Sequence, residues 1–150
     1  MAQSLARIYI HLIFSTKKRE QLITETVRSN LHAYLGTVLQ NLGCPALLMN
    51  SVEDHIHILF ELNRTITISQ VVETVKTDSS KWIKTQDAKC AGFAWQSGYG
   101  AFSVSESNVP AVRDYIANQR EHHRAKTFQE EYRAFLEKHG VDYDERWVWD

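Results

Sequence analysis

Two histidines one residue apart, His55 and His57, are the most chemically suggestive pair in this sequence. They open a stretch, 55–62, whose even positions Ile56, Ile58, Phe60 and Leu62 are all apolar. An extended chain sends alternate side chains to opposite faces, so both imidazoles share the face that the apolar residues leave. Side by side on a sheet they can chelate one divalent ion. Seven histidines in 150 residues make a chance pair common, so the strand context carries this reading more than the spacing does. Tyr115 and Gln119 lie four apart in a predicted helix, on one face beside a stripe of Val112 and Ile116. A carboxamide oxygen can complete a three-ligand set with two imidazoles and leave positions for a phosphate oxygen, while a phenol beside it can act as nucleophile. The same spacing suits a half-buried helix aromatic and a surface glutamine, and periodicity leaves both readings open.

A strand and a helix must carry these groups, and the apolar pattern predicts both. Residues 7–15 alternate, with Ile8, Ile10, Leu12 and Phe14 on one face and only Ile13 breaking the pattern. From 25 to 42, Val27, Leu31, Tyr34, Leu35, Val38, Leu39 and Leu42 keep helical spacing, with Thr24 as N-cap and Gly43 just past the end. Residues 45–50 read as a short strand, 51–54 as a polar turn, and 55–62 as the hairpin partner. Thr67 and Gln70 form a capping box ahead of a second helix reaching about residue 84. Residues 93–104 return to β character, bent or bulged at Gly98 and Gly100. The order β-α-β-β-α-β predicts an α+β fold, the ferredoxin-like split βαβ sandwich, with an antiparallel sheet, both helices on one face and the other face open. A further helix is expected to run from about 109 to 123, started by Asn108 and Pro110. A short terminal helix follows the capping box of Thr127 and Glu130, with Phe128, Tyr132, Phe135 and Leu136 on one side. The tail 143–150, with Trp147 and Trp149 among acids, reads as docked on a neighbour.

At 150 residues and 43% apolar content, the expectation is one domain over 1–150. It divides into a core of about 6–104, a tyrosine-bearing helix of about 109–123, and a terminal helix and tail at 127–150. The apolar run 8–14 is too short to span a bilayer and has no signal-peptide features, so a cytoplasmic protein without a membrane partner is expected. Cys44 and Cys90 have no metal-binding spacing and are expected as reduced thiols. The net charge of −1 conceals a division: 1–126 hold 14 Lys/Arg against 11 Asp/Glu (+3), and 127–150 hold 3 against 7 (−4). Clusters at Lys17, Lys18 and Arg19, and at Arg120, His122, His123, Arg124 and Lys126, can meet phosphates, although charge alone fits a solvated surface equally well.

Four stretches taken together are more specific: EDHIHIL at 53–59, WQSGYGAFSVS at 95–105, YIANQREHH at 115–123 and YDERWVWD at 143–150. Over nearly its whole length the chain resembles the HUH-superfamily single-tyrosine transposases of bacterial insertion sequences, the insertion-sequence-200-like kind. The resemblance implies that His55 and His57 are paired metal ligands, Gln119 the third ligand, and Tyr115 the nucleophile. It also implies magnesium or manganese as the cofactor and a homodimer whose sites are completed in cis or in trans. Single-stranded DNA with hairpin ends would be the partner, with no small-molecule substrate, in a bacterial cytoplasm.

Attack by Tyr115 on such a strand would leave a 5′-phosphotyrosine and a free 3′-hydroxyl. The bond energy is conserved, so a 3′-hydroxyl from another strand can reverse the step without ATP. A phenol of ordinary pKa, about 10, needs activation, and His11 lies on the right face to contribute. The DNA is expected on the open sheet face, near Tyr9, His11, Lys17, Lys18, Arg19, Arg120 and Arg124. Three other functions compete: a nickase for plasmid replication or transfer, a non-catalytic ferredoxin-like nucleic-acid-binding module, and a hydrolase in which metal-bound water attacks.

Overall fold

The computed structural model describes residues 2–150, apart from the side chain of Arg124. Strands β1 (Tyr9–Ser15), β2 (Ala46–Val52), β3 (His55–Glu61) and β4 (Gly100–Val104) form one antiparallel sheet in the order β2-β3-β1-β4. Helix α1 (Glu25–Asn41) links β1 to β2, and α2 (Ile68–Ile83) links β3 to β4, which is the expected split βαβ order. β2 runs on through Val52, which pairs with His55, so the hairpin turn shrinks to Glu53 and Asp54.

One face of the sheet is mostly apolar, with Ser51 of β2 a buried exception. Ile10, Leu12 and Phe14 of β1 and Ile56, Ile58 and Phe60 of β3 pack under Leu31, Leu35 and Leu39 of α1 and Val71, Val72 and Val75 of α2. Each such side chain, fully buried, contributes about 1.5–3 kcal/mol relative to exposure. The expected capping box closes the start of α2, where the Thr67 hydroxyl accepts from the Gln70 amide (3.1 Å) and the Gln70 side chain accepts from the Thr67 amide (2.9 Å).

The other face is not open, contrary to expectation. Helices α3 (Val109–Ala117), α4 (Gln119–Ala125) and α5 (Phe128–Lys138) follow β4, and α3 and α5 lie against this face. Ile13 packs with Phe102 of β4 and with Phe128, Tyr132 and Leu136 of α5. Tyr9 and Leu59 pack with Ile116 of α3. Ile13 therefore breaks the alternation because both faces of β1 bury apolar groups. Gly100 lets α5 come close: a Cβ there would stand 2.6 Å from the Tyr132 ring.

Two expected elements are divided or shortened. The strand predicted over 93–104 forms only at Gly100–Val104, preceded by an isolated bridge from Trp95 to Thr16. In between, the Lys76 ammonium donates to the carbonyls of Gln96 (2.7 Å), Ser97 (3.2 Å) and Gly98 (2.6 Å), which turns the chain away from the sheet. The helix predicted over 109–123 breaks at Asn118 (φ −99°, ψ 27°). Asn50 of β2 donates to the carbonyls of Ile116 (3.0 Å) and Ala117 (3.2 Å), satisfying the end of α3 that the break exposes. The tail docks on α5, with Trp149 near the rings of Phe128 and Tyr132 and under the Arg133 guanidinium at 4.9 Å. Among the described residues, no helix is long and apolar enough to cross a membrane.

Candidate active site

Alternation along β3 places His55 and His57 under the C-terminal helices, both fully buried. Each ring is oriented from its Nδ1 side. The Nδ1 of His55 lies 2.7 Å from a carboxylate oxygen of Asp54, and that of His57 lies 2.8 Å from Nε2 of His11 on β1. Such partners fix ring direction and leave Nε2 for a ligand. Both Nε2 atoms point to one oxygen of Glu131 on α5, Oε1, at 3.2 Å from His55 and 2.9 Å from His57. His123 of α4 brings its Nε2 to 3.5 Å from the same oxygen, its ring lying 4.3 Å from that of His55.

Tyr115 reaches this cluster from α3. Its hydroxyl donates to the second oxygen of Glu131, Oε2. Its ring stacks on His122 at 4.2 Å and meets His57 edge-on at 5.9 Å. Gln119 is fully buried just beyond the break at Asn118; its Nε2 donates to the Tyr115 carbonyl (3.3 Å) and its Oε1 has no hydrogen-bond partner. A buried acceptor left unmet costs about 1–3 kcal/mol, which a bound cation would relieve. The nearest ligand atoms of His55, His57 and Glu131 all lie within 4.8 Å of one another, a His/His/Glu set able to coordinate a divalent metal ion.

The electrostatics follow from burial. Burial pushes the Tyr115 phenol well above its ordinary pKa, and the Glu131 charge adds to the rise while Gln119 opposes it. Burial alone would also raise Glu131, but the imidazoles of His123, His55 and His57 gathered around it outweigh that and hold the carboxylate well below its usual range. Burial lowers His57 and His11. At His55 burial acts the same way, and Asp54 and Glu131 overcome it. A neutral imidazole is the form that donates a lone pair to a metal.

Glu131 is absent from the sequence expectations, although a signal for it exists. It lies three residues after Phe128 and four before Phe135, inside the apolar stripe of α5, and is only 2% exposed. A carboxylate in a buried stripe requires compensating charge or donors, which is itself a marker of a site. Tyr9 and His11 correct the expectation of an exposed DNA platform: they are 8% and 2% exposed, because the C-terminal helices cover them. Lys17, Lys18 and Arg19 form a short turn after β1, with the two lysines exposed. Arg120 is engaged with Glu25, to which it donates, and lies 3.8 Å from Glu53. The expectation for the Arg124 side chain falls outside the described residues.

Comparison with known proteins gives this geometry a family. Residues 4–119 match the family described as "Transposase IS200 like". The chain is 24% identical over 116 residues to the ISDra2 transposase TnpA of Deinococcus radiodurans, an alignment covering 74% of this chain and 83% of that protein. Its fold is similar to the crystal structure of a candidate transposase from Deinococcus radiodurans R1, with a TM-score of 0.62 at 23% identity, covering 79% of this chain and 98% of that one. It is also similar to a REP-associated tyrosine transposase bound to a REP hairpin, with a TM-score of 0.59 at 14% identity, covering 82% and 74% of the two chains. The family match spans the whole sheet and ends at Gln119, so this chain belongs to the IS200-like transposases, metal-dependent single-tyrosine enzymes of the HUH superfamily that cleave and rejoin single-stranded DNA.

Proposed function

We propose that Tyr115 is the nucleophile of this chain and that His55, His57 and Gln119 hold a magnesium or manganese ion, acting on hairpin-bearing ends of an insertion sequence. The observation that carries the reading is the meeting of the Tyr115 hydroxyl and the two imidazole Nε2 atoms on the two oxygens of one carboxylate. A bound ion supplies charge neutralisation at the non-bridging oxygens of the phosphate. Tyr115 then attacks phosphorus, the bond to the 3′-oxygen breaks, and the strand remains attached through a 5′-phosphotyrosine. A 3′-hydroxyl from another strand reverses the step. Glu131 fixes the direction of the phenol and offers a carboxylate oxygen to the same cation. Asp54 and His11 hold the two imidazoles in register.

The hairpin assignment draws on the solved relative, whose structure holds a REP hairpin. Lys17, Lys18 and Arg19, together with Arg120 and Arg124, are the proposed phosphate contacts, and Arg120 would exchange Glu25 for the strand. We assign a homodimer in the bacterial cytoplasm, with no small-molecule substrate; sedimentation tests the stoichiometry. The central experiment incubates the protein with labelled hairpin-bearing single strands and manganese. A denaturation-stable protein–DNA adduct that disappears in Tyr115→Phe is the expected result. Cleavage without an adduct would mean attack by water, and binding without cleavage a passive module.

A further inference from the structure

We propose that the cavity between α3 and α5 is a nucleobase subsite for a nucleotide adjoining the scissile phosphate, an inference that rests on the assignment of Tyr115 to strand cleavage. The cavity has a volume of about 310 Å³, and Tyr115, His11 and Glu131 contribute to its lining. An occupant is therefore in reach of the phenol. Ala111 and Val112 of α3 and Ala134 and Phe135 of α5 line it with small or apolar groups, which leaves a slot where larger residues would close the gap. The Phe135 ring is held by edge contacts to His11 at 5.1 Å and Tyr115 at 5.4 Å, so it offers a fixed aromatic surface.

Polar groups complete the lining. Lys126 and Lys138, both exposed, bring positive charge to the lining, where Glu131 is already engaged by histidines and Tyr115. Asn108 stands at the start of α3 without a side-chain capping bond, so its amide can both donate and accept. Apolar walls, one aromatic, one amide and two cations match a planar base with a polar edge attached to a charged backbone. A bare phosphate would have no use for the apolar walls, and a purely apolar molecule none for the lysines. A cavity of a few hundred cubic ångströms is the usual scale for a ligand of this size.

The test uses single strands carrying the hairpin and flanking sequence from the ends of the encoding element, made abasic one nucleotide at a time on either side of the cleaved bond. Affinity is measured with Tyr115→Phe protein, which keeps the ring but not the chemistry, and adduct yield with the wild type. One flanking position should lose about tenfold in affinity when abasic. Ala134→Trp, which fills the slot, should lose about as much on the intact strand and nothing further on that abasic strand. Lys126→Ala combined with Lys138→Ala leaves the walls intact and should flatten the salt dependence by about two phosphate contacts. If a Trp at 134 prevents folding, Ala111→Leu on the opposite wall takes its place. The proposal is overturned if every abasic position stays within twofold of the intact strand, or if the wall variant and the abasic loss multiply. A wild-type protein that forms no adduct instead refutes Tyr115 as nucleophile, and the affinities decide the cavity separately.

Discussion

The two faces of the sheet are built from alternate residues of the same strands, are buried to a similar depth, and do opposite things. Beneath α1 and α2 the inward groups are almost all apolar, with Ser51 and Ser79 as isolated buried hydroxyls that are each hydrogen-bonded, so burial there costs little polar desolvation. Beneath α3 and α5 the same strands present His11, His55 and His57, and each is met by another polar group: His11 by His57, His55 by Asp54, and the two Nε2 atoms by Glu131. Depth alone therefore does not distinguish a core from a site. What distinguishes them is whether buried polarity is compensated as a set, because in a low-dielectric interior removing one member orphans the rest.

Substitutions can break this contrast. The largest effect is expected for Tyr115→Phe, which should abolish the covalent adduct while costing about 1.5–3 kcal/mol of stability through the lost bond to the buried Glu131 carboxylate, read by gel assay and denaturant melts. Leu12→Ala on the apolar face should cost about 2–5 kcal/mol and leave manganese affinity unchanged in the folded fraction. Asp54→Ala should do the reverse, lowering manganese affinity about 10–100-fold by calorimetry with a smaller loss of stability. Manganese at a hundred times its Kd should raise the stability of the wild type by about 2.7 kcal/mol and that of His57→Ala not at all.

The smallest effect lies at the β2 edge of the apolar face. His32 of α1 places Nε2 2.8 Å from the Ser51 hydroxyl, and burial, with Arg28 nearby, holds its pKa down to about 4. Between pH 6.5 and 4 the unfolded chain takes up a proton that the folded chain excludes, so stability falls as pH drops through that window. Discounted for its partial exposure, the loss is about 1 kcal/mol, and His32→Gln should remove that share of the acid sensitivity in thermal melts.

Local pattern made the strands and most helix starts legible. Alternation in β3 put His55 and His57 on one face, and capping residues marked the starts of α2 and α5. What escaped depends on contacts distant in sequence. Asn50 supports the end of α3 from 66 residues away, so the break at Asn118 has no local signature, and Tyr115 and Gln119 belong to different helices although spaced as one turn. Ile13 did signal a second buried face, yet a single apolar residue out of phase does not say what covers it. Glu131 left one local signal, a carboxylate inside the apolar stripe of α5, but nothing local says what compensates it, because its partners come from β3, α3 and α4.

The loop at 96–98 ties parts of the chain that are otherwise far apart. Its carbonyls are gathered by Lys76 of α2, the Gln96 side chain accepts from the Ser15 amide (2.8 Å) where β1 pairs with His55, and the Gly98 amide donates to the Asp150 carbonyl (2.7 Å). Segment 143–150 is thus fastened to the helical layer on the far side of the sheet as well as to α5. Hydrogen exchange should register the Gly98 amide and the docked tail as one cooperative unit with the end of β1, opening in a single event instead of fraying from the last residue inward.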